Sequence, residues 1–203
     1  MNYPLAFLDY ETFPSAIPRY DGYRPYQQIP FQFSLHVIDN HDAEISHYDF
    51  IYTDEKDPDK YFAEALSKYL PKEGSIVVWN QRFEKGINDQ MGERLPDHQS
   101  FLKQVNERMV DLMTPFFGKT TLYDRPEFKG SASIKYVLPP LAPHLSYKNM
   151  HIQEGGTASD TWNRIVSGEY SKKDKDMKIQ DLKDYCHLDT LAMVEIWRYL
   201  FKM

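Results

Sequence analysis

The chain has 203 residues, 41% hydrophobic, 27% charged and 15% aromatic, and a formal net charge of −6. That size and balance fit one soluble globular domain spanning 1–203 with a real core, and the acidic charge excludes a protein that coats nucleic acid through phosphate neutralisation alone. The single cysteine, Cys186, excludes an internal disulfide framework, and no CxxC or Cys/His cluster offers a zinc site, so a reducing, cytoplasmic setting is the default. The N-terminal stretch lacks the basic and apolar regions of a signal peptide, and no apolar run approaches membrane-spanning length, so no membrane partner is expected.

In chain order, Tyr3 to Asp9 reads as a buried strand, after which Pro14, Pro18, Pro25 and Pro30 predict a long aromatic and polar loop. Phe31 to Ile38 and Glu44 to Ile51 flank the turn formers Asp39-Asn40-His41-Asp42 and predict an antiparallel hairpin. Asp57-Pro58 opens a helix whose apolar residues Tyr61, Phe62, Ala65, Leu66, Tyr69 and Leu70 recur at helical spacing. Ser75 to Trp79 reads as a short inner strand, followed by helices over Arg82–Met91 and from Leu95-Pro96 toward Val105, then the apolar run Met109–Met113. Phe116 to Tyr136 interleaves aromatics with Lys119, Arg125, Lys129 and Lys135. That segment suits either a solvated loop with a small helix or a strip lining a nucleic-acid strand, where rings stack bases and cations track phosphates. Ser133 starts a short helix that Pro139-Pro140 stop, Gly155-Gly156 precede a helix over Thr157–Val166, the charged run Ser171–Lys178 is exposed, and a long helix covers Ile179–Phe201.

Chemistry enters with Phe7-Leu8-Asp9-Tyr10-Glu11-Thr12. Alternation along a strand sends Asp9 and Glu11 to one face, with Leu8 and Tyr10 on the other. Two acids so placed describe either a strand end in water or a pair sharing a divalent cation. On the last helix, Leu182, Cys186, Asp189, Met193, Ile196 and Leu200 share a stripe with Tyr185 on its shoulder. A carboxylate inside an apolar stripe calls for a cation or a donor. Between these elements, Trp79-Asn80-Gln81-Arg82-Phe83-Glu84 hands a strand to a helix, with Glu84 facing either outward or toward the first strand.

Asp9 with Glu11, then Asn80, Phe83 and Glu84, then Tyr185 with Asp189 resemble, in order and spacing, the three motifs of the DEDD exonuclease superfamily in its tyrosine-bearing DEDDy branch. The runs Gln28–Ser34, Gly130–Lys135 and Tyr185–Met193 are further similar to a bacterial domain family of unassigned function, often part of larger proteins. The resemblance implies a ribonuclease H-like α/β fold, a mixed central sheet flanked by helices. It also implies 3'-5' exonuclease activity on DNA or RNA with two divalent cations, Mg2+ or Mn2+, and a single-stranded 3' end as partner, delivered by other domains or proteins. Asp9 would bridge both ions, Glu11 and Asp189 complete the first site, Glu84 support the second, and Tyr185 orient the attacking water. Tyr10, Thr12, Asn80 and Phe83 would meet the substrate, and Asp111 resembles an accessory acid. The superfamily's second motif ends in Asp where this chain has Glu84. Its longer side chain either reaches the second ion, directly or through water, or leaves it weakly held. The alternative is therefore a catalytically weak or inactive module that binds nucleic acid or a protein.

Overall fold

A computed structural model describes residues 1–118 and 121–201. Five strands form one sheet in the order β3-β2-β1-β4-β5, where β1 is Leu5–Pro14, β2 Gln28–Ile38, β3 Ser46–Ile51, β4 Ser75–Val78 and β5 Met109–Asp111. The hairpin half, β1 to β3, is antiparallel, and β4 and β5 join β1 in parallel through helical crossovers. Helices α1 (Asp59–Tyr69), α2 (Gln81–Arg94) and α3 (Pro96–Glu107) cover one face; α4 (Ile134–Leu141), α5 (Gly155–Val166) and α6 (Lys172–Phe201) cover the other. This is the expected ribonuclease H-like α/β architecture, a mixed sheet between two helical layers. Among the described residues, no helix is long and apolar enough to cross a membrane.

Alternation along β1 divides the core. Ala6, Leu8 and Tyr10 pack toward α1, α2 and α3, while Leu5, Phe7 and Phe13 pack toward α4, α5 and α6, so Asp9 and Glu11 fall on the second face. Because β4 pairs with β1 only over Leu5 to Phe7, the sheet opens beyond that point and leaves room beside Asp9.

Several boundaries differ from the expectation. β1 runs on to Pro14 and β2 begins at Gln28, so Pro14 and Pro30 lie in strands rather than in the loop. Pro30 is tolerated because the β1–β2 register shifts between Glu11 and Thr12, a bulge where a missing N–H costs little. The residues between are an ordered surface meander. Tyr23 is buried, its hydroxyl donates to Asp57 Oδ1 at 3.0 Å, and the Arg94 guanidinium lies 4.1 Å from its ring centre.

Pro139 and Pro140 do not stop α4, which continues to Leu141 and closes with Ala142 N donating to Leu138 O at 2.8 Å. Burial of Val137, Leu138 and Leu141 outweighs the two missing donors in so short a helix. α6 starts at Lys172, seven residues early, because Ser171 caps it: its hydroxyl donates to Asp174 Oδ2 at 2.6 Å and accepts from Asp174 N at 3.2 Å. Within 116–136, Phe116 and Phe128 are core residues and Phe116 stacks on Trp79, so those aromatics serve packing rather than bases. Lys119 lies outside the described residues.

A polar seam runs beneath α6. Gln32 Nε2 donates to Leu182 O at 2.9 Å, and Ser34 Oγ lies 2.7 Å from Thr190 Oγ1, all fully or nearly fully buried.

Candidate active site

The open end of β1 meets α6, α4 and the start of α5 in a cavity of about 420 Å³, lined by Asp9, Glu11, Lys135, Tyr185 and Asp189 among others. One carboxylate oxygen each from Asp9 and Glu11, together with Cys186 Sγ, lies within 4.8 Å of the others. Burial, then the Asp189 charge, raises the Asp9 pKa well above the usual carboxylate range. Burial, then Asp9 and Asp189, does the same to Glu11. Asp189 is pushed up to about 6 by burial, against a lowering pull from Tyr147 and Lys135. The acids predicted from two distant parts of the chain are therefore one cluster of mutually repelling groups.

Glu84 approaches Asp9 from the other helical layer, buried behind the cavity and outside its lining. It is 1% exposed, and its pKa is raised by burial and then by Asp9. Its Oε2 is buried without a hydrogen-bond partner. Of the two orientations open to it from sequence, the structure takes the inward one. The corner that aims it is built by Asp111, whose Oδ1 accepts from Asn80 N at 3.1 Å and Met113 N at 3.0 Å, and whose Oδ2 accepts from Gln81 N at 3.1 Å. Asn80 sits there at φ +77°, the left-handed bend that turns β4 into α2. Asp111 is thus committed to backbone N–H groups and shapes the site from behind.

The four residues expected at the substrate divide. Phe83, 37% exposed, and Thr12, whose hydroxyl donates to Gln28 Oε1 at 2.6 Å, both line the cavity. The Tyr10 side chain does not meet Asp9, Glu11 or Asp189: it is buried on the opposite face, on the side of Glu84, its hydroxyl donating to Asn88 Oδ1 at 3.2 Å, so Tyr10 borders the cavity through its backbone. Asn80 is exposed at the corner and lies outside the cavity lining.

Three further groups take part. The Tyr147 hydroxyl donates to Asp189 Oδ1 at 2.6 Å, inside the buried wall. Lys135 lies 5.5 Å from the Tyr147 ring centre and 5.3 Å from that of Tyr185, and its charge lowers the pKa of Asp9, Glu11 and Asp189. Gly155, at the start of α5, comes close enough that a Cβ there would lie 3.9 Å from Glu11 Oε2, so the positive helix end faces an acid. Lys135 was visible in sequence as part of a basic, aromatic run. Tyr147 lies in irregular chain between α4 and α5 and had no periodic signal.

Asp9, Glu11 and Asp189 share the cavity with one lysine among the described residues, and Glu84 lies buried behind it with Oε2 unpartnered, so the oxygen donors are of the kind suited to hard divalent cations. Asp9, Glu11, Glu84 and Asp189 are the residues that could hold them. The Cys186 thiol, held neutral by burial and then by the charge of Asp9, contributes packing beneath Asp9.

Residues 6–133 match the family described as a domain of unknown function, DUF2779, and the chain belongs to that family. It is 26% identical to an uncharacterized protein, the MG366 homolog of Mycoplasma pneumoniae, over 94% of this chain and 31% of that protein. It is also 26% identical to the uncharacterized protein UU173 of Ureaplasma parvum, over 98% of this chain and 31% of the relative. The chain thus spans about a third of the length of these relatives. No solved structure matches it.

Proposed function

We propose that this domain is a metal-dependent phosphodiesterase of the DEDDy type, removing nucleotides from the 3' end of single-stranded DNA or RNA. The observation that carries this reading is that Asp9, Glu11 and Asp189 line one cavity with a single lysine among the described residues, Lys135, while Glu84 is buried behind it beside Asp9. When bound, Mg2+ or Mn2+ ions supply charge stabilisation at phosphate and lower the pKa of a water. The chain's residues do the rest. Asp9 and Glu11 present their carboxylates from a rigid strand, and Asp189 is fixed by the Tyr147 hydroxyl. Tyr185, buried with its pKa raised by its surroundings, stays protonated and orients a water instead of acting as a base. Phe83 offers an exposed ring for a terminal base, and Lys135 offers a cation for a phosphate. A reducing, cytoplasmic setting suits the buried free thiol of Cys186, and the remaining two thirds of the relatives' length suits delivery of substrate by other parts of a larger protein.

One observation favours a second reading. Glu84 is almost wholly enclosed and its pKa is raised, so the second ion would be held weakly and the domain would bind nucleic acid or a protein with little turnover. A single assay separates them: end-labelled single- and double-stranded DNA and RNA with Mg2+ or Mn2+. Stepwise shortening from the 3' end, absent in Asp9→Asn, supports the nuclease; internal cuts, or no metal-dependent cleavage, sink it.

A further inference from the structure

A second cluster of ligating side chains lies under α6, away from the cavity. His36 on β2 and His47 on β3 face each other across the antiparallel pair, and His187 of α6 closes over both. Their ring centres are 4.3 to 4.7 Å apart, and one ring nitrogen from each lies within 4.8 Å of the others. Sequence spacing carries no zinc motif here because each histidine comes from a different element.

Packing alone does not account for how their nitrogens are arranged. Thr190 is mid-helix, and its hydroxyl donates back to the His187 carbonyl at 3.1 Å. With the hydroxyl proton on that carbonyl, its oxygen is free to accept from His36 Nδ1–H across 2.8 Å, the tautomer that carries the His36 lone pair on Nε2. That is the outer hydrogen bond by which metal-binding imidazoles are usually oriented. His187 Nδ1 and His47 Nε2 are 3.3 Å apart, long for a hydrogen bond between them. Two nitrogens each roughly 2.0–2.1 Å from a tetrahedral ion are themselves about 3.3 Å apart. Ser34 Oγ, now 3.0 Å from His47 Nε2, keeps Thr190 as a partner at 2.7 Å if that nitrogen turns to an ion.

We propose that His36, His47 and His187 form a binding site for a zinc-class transition metal, distinct from the carboxylate site. An all-imidazole set selects zinc, cobalt or nickel over magnesium and manganese, so the two sites sort their metals by ligand chemistry. His47 is exposed, which leaves the fourth coordination position open to solvent. An ion there ties the edge strand β3 to α6.

The inference stands independently of nuclease activity, and so does its test. Untagged protein is titrated with Co2+ in excess Mg2+, as wild type and as Asp9→Asn, and visible absorption is followed. Both are expected to take up one equivalent with the bands of a four- or five-coordinate ion. His47→Gln and His187→Gln are expected to lose that uptake, with affinity reduced by more than the roughly 10–100-fold typical of losing an outer partner. In the Asp9→Asn background, Zn2+ in excess Mg2+ should raise the melting temperature, and adding His47→Gln should abolish that rise. Because His47 is at the surface, His47→Gln without metal should unfold like wild type, which separates loss of binding from loss of fold. Absence of uptake by wild type, or an undiminished equivalent in His47→Gln, overturns the proposal.

Discussion

Asp59 and Glu84 are both buried acids in the first turn of a helix, on the same side of the sheet, and they differ in what answers their charge. Asp59 Oδ2 accepts from Arg94 Nε at 2.7 Å and lies 2.6 Å from Arg94 Nη2. Glu84 has Asp9 as its charged neighbour, which raises its pKa further. Each keeps one oxygen without a hydrogen bond, so burial alone does not distinguish them. The counter-ion does. Asp59 is answered by an arginine, whereas Glu84 is left beside another acid.

Substitutions that remove one side of that contrast test it. The largest effect is expected from Asp9→Asn and Asp189→Asn, which should cut metal-dependent cleavage by roughly 10³-fold or more, since charge stabilisation by a bound metal is worth several kcal/mol. Circular dichroism and urea unfolding should show both variants folded. Arg94→Ala should destabilise the protein by about 3 kcal/mol in urea unfolding, because it strands Asp59 in a dry site. Glu84→Gln should leave the metal-free protein as stable as wild type or more so, since no ion pair is broken; a loss as large as that of Arg94→Ala would end the comparison.

A pH series sharpens the same contrast. Asp189 has a folded pKa of about 6 against an ordinary 3.8, so between those values the folded state holds more protons than the unfolded one. Its contribution is present below about 4 and is lost as pH rises through about 6, roughly 3 kcal/mol. Thermal melts in EDTA should show this fall, and Mg2+ should reverse it at neutral pH. Smallest of all, Tyr147→Phe should weaken metal binding by about 10-fold through the lost hydrogen bond to Asp189. Tyr185→Phe should lower kcat by a similar factor and leave metal affinity unchanged; calorimetric titration with Mn2+ beside steady-state rates separates the two.

What could be read from sequence follows from the range of each physical signal. Asp9 and Glu11 share a face because strand alternation is local, and Asp189 stood out because it breaks an apolar stripe on a long helix. Glu84 stayed open because its direction depends on a corner held from β5 by Asp111, a contact about 30 residues away in the chain. The resemblance puts Tyr10 at the substrate, yet the alternation that joins Asp9 and Glu11 turns its ring to the other face. Pro139-Pro140 and the charged run before Ile179 misled for opposite reasons: burial carried α4 past its prolines, and a serine cap extended α6 through residues with no apolar face.

The seam of Gln32, Ser34 and Thr190 beneath α6 bears on how the cavity keeps its shape. A cylinder resting on a purely apolar surface can roll, since apolar contacts are non-directional and one set of methyl groups replaces another at little cost. Hydrogen bonds from Gln32 to Leu182 O and between Ser34 and Thr190 act as detents and set the angle at which the helix sits on the sheet. Each residue of a helix is about 100° from the next. That one angle therefore decides together that Tyr185 and Asp189 face the strand acids and that His187 faces the histidine pair.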